Sequence, residues 1–144
     1  MKTALYLFAL ILVLGSFSER DRQKYTLDGT WELIDQYTYD GTHVTDTIPN
    51  NDGYRQIKMY NSGRVMWTRF VPKDSVDWFG YGSYSNTDST LTETLEYGSA
   101  SMMKIIDSMR VFKFELHLEK EFFQQITVDE EGHKIFSENY RRLH

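Results

Sequence analysis

Residues 112–119 read Phe-Lys-Phe-Glu-Leu-His-Leu-Glu. In an extended strand, that alternation puts Phe112, Phe114, Leu116 and Leu118 on one face. Lys113, Glu115, His117 and Glu119 take the other. Such a strand is half wet and half dry. It must pair laterally to satisfy its backbone, and it must cover its apolar face with another layer. The rest of the chain repeats this demand in short pieces. Trp31 to Tyr39, Tyr54 to Tyr60, Arg64 to Val71, Trp78 to Tyr84, Thr90 to Tyr97, Phe122 to Val128 and Lys134 to Leu143 also read as strands. They are separated by turn chemistry: Asp40-Gly41, Asn61-Ser62-Gly63, Pro72-Lys73-Asp74-Ser75, Ser85-Asn86-Thr87-Asp88 and Asp129-Glu-Glu-Gly132. Thr42 to Asp52 is polar and reads as a loop. Residues 99–108 hold Met102, Met103, Ile105 and Ile106 without alternation, which fits a short helix or an apolar loop. Eight strands with short connections predict an all-β antiparallel fold, either a sandwich or an up-and-down barrel.

The N-terminus has its own pattern. Lys2 precedes an uncharged apolar run from Thr3 to Gly15, then Ser16-Phe17-Ser18 and a charged stretch. That is the layout of a secretory signal peptide, with small residues at −3 and −1 of a cut after Ser18. The run is shorter than the roughly 20 apolar residues of a membrane span. The expected organisation is a signal at 1–18, a polar linker at 19–26 and one domain at 27–144. After cleavage, no stable membrane span is expected. Val13-Leu14-Gly15-Ser16 resembles a lipobox with serine in place of the lipidated cysteine. The expected product is therefore an exported, periplasmic or extracellular protein without a lipid anchor. The chain has no cysteine, which excludes disulfides and thiolate metal sites. Its net charge of −5 argues against nucleic acid as a partner.

Gly29-Thr30-Trp31 supplies a more specific signal. It resembles the Gly-x-Trp opening of the lipocalins and their calycin superfamily. The ordered set Gly53-Tyr-Arg-Gln-Ile-Lys58, Val65-Met-Trp-Thr-Arg69, Gly80-Tyr-Gly-Ser-Tyr84, Leu91-Thr-Glu93 with Glu96-Tyr97, and Glu138-Asn-Tyr-Arg141 is similar to small lipocalin-like domains of exported proteins in Bacteroides-like bacteria. The resemblance spans about residues 27 to 143. It implies an up-and-down β-barrel of lipocalin or fatty-acid-binding-protein type. It also implies that Gly29 and Trp31 form a structural plug at the closed end, with Arg141 or Arg142 lying over the indole. The mature length is nearer that of a fatty-acid-binding protein, and the long C-terminal helix of lipocalins is missing.

An eight-stranded barrel has room for one small ligand, so strand parity nominates the residues that meet it. Val65, Trp67 and Arg69 share a face, as do Leu91, Glu93, Leu95 and Tyr97, and also Phe136, Glu138, Tyr140 and Arg142. Glu93 is the carboxylate in its apolar row, and a buried carboxylate needs a partner. Two readings stay open: Glu93 with Arg69 or Arg142 meets a ligand's polar head, or it forms an internal Glu–Arg ion pair that only sets strand register. Tyr60, Trp67, Tyr81 and Tyr140 join the candidate ligand-binding set, against an alternative as plain core or surface aromatics. The Met102–Ile106 stretch is either a lid over the barrel mouth or a helix packed outside. His43, His117, His133 and His144 show no ligand spacing, so no metal or cofactor is expected. With no phosphate loop and no Gly-x-Ser-x-Gly elbow, an enzyme is not expected. The expected function is binding of a small hydrophobic or amphipathic molecule. The alternative is a barrel filled by its own side chains that acts as an envelope or protein-interaction module. Oligomeric state is left open.

Overall fold

The computed structural model describes residues 24–50, 53–73 and 76–144. The expected signal at 1–18, and the first part of the expected linker, lie outside the described residues. Nine strands and one helix follow in order: β1 (Gly29–Gly41), β2 (Val44–Pro49), β3 (Arg55–Asn61), β4 (Arg64–Phe70), β5 (Trp78–Asn86), β6 (Thr90–Gly98), α1 (Ala100–Ile106), β7 (Val111–Leu118), β8 (Phe122–Val128) and β9 (Lys134–Leu143). Each strand from β3 to β9 pairs antiparallel with the next, and β9 pairs back onto β1. The chain is thus an all-β, up-and-down barrel.

The expected count of eight strands matches the closed ring, β1 with β3 to β9. The ninth strand corrects the loop expected over residues 42–52. The long β1 pairs through residues 29–32 with β3 and through residues 35–39 with β2. All six residues of β2 are exposed. A strand wet on both faces is under no pressure to alternate, so its sequence carries no strand period.

One end of the barrel is closed by the Gly29–Trp31 stretch. Trp31 is fully buried, and its Nε1 donates to the Leu27 carbonyl at 2.7 Å. Its ring meets Phe123 edge-on at 4.9 Å, and Phe123 stacks on Tyr140 at 4.6 Å. Arg142 lies over the indole, 4.0 Å from the ring centroid. Its nitrogens donate to three backbone carbonyls: Nη1 to Asp28, Nη2 to Thr26 and Nε to Lys120. Gly29 has φ +138°, and a Cβ there would run into Arg142 Nη1. The glycine beside the tryptophan is therefore a requirement of the arginine that covers it. Tyr60, Val65, Leu33 and Leu91 fill the space above the plug.

Replacing Arg142 by Met keeps the stem but removes the cation and its three hydrogen bonds. We expect a loss of about 1–3 kcal/mol in urea unfolding, from a cation–π contact and net hydrogen bonds of ordinary strength. Arg142→Lys should recover only part of it. Wild-type stability in Arg142→Met would show that the clamp contributes nothing.

Candidate ligand-binding site

The other end of the barrel is open space. A cavity of about 280 Å³ lies there, walled by Trp67, Trp78, Leu95, Phe112 and Phe114 and floored by Gln56, Lys58, Glu93, Gln125 and Glu138. Gly80 makes one wall possible: a Cβ there would sit 2.7 Å from Trp67 Nε1 and 2.8 Å from its Cε2. The indole can lie flat on the neighbouring strand only because that position has no side chain.

Helix α1 adjoins the cavity. Ser99 caps it, its Oγ accepting from the Met102 N–H at 3.3 Å. Met102 and Ile106 are buried, and Met102 and Ile105 line the cavity. One side of the helix packs on β5 and β6 while its middle contributes to the cavity wall.

The floor is a continuous hydrogen-bonded chain across the barrel. Tyr60 donates its hydroxyl to Glu93. Lys58 Nζ donates to Glu93 Oε1 at 2.9 Å and to Gln125 Oε1 at 2.7 Å. Gln125 Nε2 donates to Glu138 Oε2 at 2.9 Å, and Tyr140 donates to the same oxygen at 2.7 Å. Gln56 Nε2 bonds Glu138 Oε1 and the Tyr140 oxygen, while its Oε1 accepts from Tyr54 and from Arg69 Nε. Arg69 stands 3.8 Å from Glu138 and 5.8 Å from the Trp78 ring centroid. Burial, and then Glu93, push the Tyr60 phenol well above the usual tyrosine range. Burial, and then Glu138, do the same to Tyr140. Both hydroxyls therefore stay protonated and act as donors.

The candidate residues separate clearly in space. Trp67, Arg69 and Glu93 line the cavity. Tyr60 and Tyr140 are fully buried beneath it; Tyr60 reaches its lining through Glu93, and Tyr140 through Glu138 and Gln56. Tyr81 and Arg142 lie elsewhere, and both placements correct their expected part in the ligand site. On β5 the inward positions are 78, 80, 82 and 84. Tyr81 faces outward, paired across the strands with Met66 and Tyr97 and 5.3 Å from the Tyr97 ring. Tyr97 itself leaves the inward row of Leu91, Glu93 and Leu95. The pairing skips Glu96 between Gly82↔Leu95 and Tyr81↔Tyr97, and this bulge turns Tyr97 out to 50% exposure. Arg142 is inward by parity but belongs to the plug, at the end opposite the cavity.

Gln56, Lys58 and Gln125 were not singled out from the sequence. On β3 the polar Gln56 and Lys58 point inward with Tyr60, while Ile57 and Met59 point outward. The clue was present in Gln56-Ile-Lys-Met-Tyr60, once Tyr60 is taken as inward. Asp129, Glu131 and His133 bring ligand atoms within 4.8 Å at the exposed β8–β9 turn. Asp129 Oδ1 there accepts the backbone N–H groups of Glu131 and His133. Those bonds hold its carboxyl below the usual range.

Lys58 and Glu93 are each 3% exposed. Removing one leaves the other charged and buried, at a cost of about 3–5 kcal/mol. We expect Lys58→Met and Glu93→Gln each to lose stability on that scale in urea unfolding, and the double variant to lose less than the sum. Additive losses would show that the pair is not coupled.

No protein-family model matches this chain, and no curated protein matches it. A solved structure similar in fold is that of an uncharacterized protein from Bacteroides eggerthii DSM 20697. It has a TM-score of 0.55 and 15% sequence identity, over 82% of this chain and 100% of that one. At that identity the likeness is one of fold: the chain shares an all-β barrel-like architecture with that Bacteroides protein.

Proposed function

We propose that this protein is an exported, lipocalin-like barrel that binds a small, partly apolar molecule at its open end. The observation that supports this best is the contrast between the two halves of the interior. The plug end is packed solid with aromatics. The other end keeps about 280 Å³ of space behind Trp67, Phe112 and Phe114, over a polar floor. That volume is close to the lower limit of about 300 Å³ for ligand pockets, which argues for a small ligand rather than a long lipid. Trp67, Trp78, Phe112 and Phe114 would cover its apolar body, and the floor would meet its polar end. Ligand binding, not catalysis, is the proposed role.

The test is fluorescence titration with N-phenyl-1-naphthylamine, a neutral probe that brightens in apolar surroundings. Saturable binding at one site is expected. Ile105→Trp places a larger ring at the cavity wall on a half-exposed helix position, and should weaken binding at least tenfold without changing stability by more than about 1 kcal/mol. If the probe does not bind and the protein purified from its source carries no small molecule, the carrier reading fails.

A second reading has its own observation. The outward residues Met59, Met66, Tyr81 and Tyr97 are opposed across β3, β4, β5 and β6 in one row, with Met59 44% and Tyr97 50% exposed. An apolar row on the outer wall suits a protein partner, so failure of the probe experiment would favour an interaction module. Export is tested separately. The protein secreted by its source should begin at Glu19, as read by N-terminal sequencing, and an intact Met1 would overturn it.

A further inference from the structure

Charge around the cavity selects the kind of head group that fits there. Lys58, Arg69, Glu93 and Glu138 all line it, two cations and two carboxylates. The lining is neutral as a whole, and it is neutral locally too. Lys58 and Glu93 form a buried pair at 2.9 Å. Glu138 accepts from Gln56, Gln125 and Tyr140 and faces Arg69 at 3.8 Å. Among the described residues, no buried side-chain nitrogen or oxygen lacks a hydrogen-bond partner.

A ligand with a carboxylate head would bring a third negative charge against two cations. An ammonium head would bring the opposite excess. Either charge would leave water and find no spare counter-ion, which is unfavourable in a site walled by aromatics. A hydroxyl or amide suffers no such penalty. Lys58 Nζ has three N–H groups and uses two within the protein. The third can donate to a neutral head, and a carboxylate oxygen can accept from it.

We propose that the cavity is selective for neutral hydroxyl- or amide-bearing molecules with a short apolar body, and discriminates against carboxylates and ammonium ions of the same body. The Lys58–Glu93 pair sets this preference by cancelling its own charge. This rests on the carrier reading above and adds to it the chemistry of the head.

The experiment compares octan-1-ol, octanoate and octylammonium as competitors of bound N-phenyl-1-naphthylamine at pH 7. The chain is constant and only the head changes. Octanol is expected to compete at least tenfold better than either ion. Glu93→Gln leaves Lys58 without its counter-ion and should move the preference at least tenfold toward octanoate. Arg69→Gln removes a cation at a half-exposed position, where folding does not depend on a buried pair, and should move it toward octylammonium. Octanoate or octylammonium competing best against wild type would overturn the inference and leave the carrier reading intact. So would equal competition by all three, or no competition by any of them while the probe is bound. An unchanged head preference in Arg69→Gln would overturn the charge-balance explanation. Absence of probe binding, together with no small molecule on the protein purified from its source, is the failure of the carrier reading and takes the inference with it.

Discussion

Arg142 lies flat on Trp31 and holds the carbonyls of Thr26, Asp28 and Lys120 at the same time. Those carbonyls belong to the entry into β1 and to the β7–β8 turn, and Arg142 itself is near the end of β9. One side chain therefore ties the first strand, the last strand and a neighbouring hairpin around a single indole. A barrel closes only if its first and last strands meet in register, and this contact sits where they meet: Trp31 pairs with Arg142 across β1 and β9. Gly29 belongs to the same device, since the guanidinium occupies the space a side chain would need.

The interior divides above that plug. Trp31, Phe123, Tyr60 and Tyr140 fill the lower half with edge and stacked contacts. A belt of polar side chains from β3, β6, β8 and β9 then crosses the barrel. Its members are mutually satisfied, which is the condition under which a buried polar network rigidifies a core rather than weakening it. The belt separates the cavity above it from the packed aromatics below. It also gives the cavity a chemically defined floor.

Much of the fold was legible in advance. Phe112, Phe114, Leu116 and Leu118 announce a half-buried strand, and turn residues mark most of the breaks. The resemblance of Gly29-Thr30-Trp31 to the lipocalin opening implied the closed end and an arginine over the ring. The cavity residues Trp67, Arg69 and Glu93 followed from parity along their own strands. Parity failed at Tyr97, where the bulge at Glu96 inverts the alternation, and no local signal marks that bulge. Tyr81 was taken as a pocket aromatic without a parity argument, and it faces outward; its neighbours Gly80 and Gly82 hold the inward positions. The partner of Glu93 was expected to be an arginine, Arg69 or Arg142, and is Lys58 instead; Lys58 was passed over because it sits between Ile57 and Met59. A lysine between two apolar residues looks like the exposed face of a strand, and here it is the buried one.

The sequence by itself determined an all-β antiparallel fold of short strands, because strand period and turn chemistry are local properties of consecutive residues; the choice of a barrel over a sandwich, and the tryptophan plug, came from the lipocalin resemblance of Gly29-Thr30-Trp31 and the ordered set after it. It also determined that inward positions would include an acidic group in need of a partner. Only the tertiary structure decided who that partner is, which end stays hollow and that the charges around the hollow cancel. Those facts depend on residues such as Lys58, Glu93 and Gln125, which are far apart in the chain. They meet because the ring closes, and ring closure is a property of all the strands together.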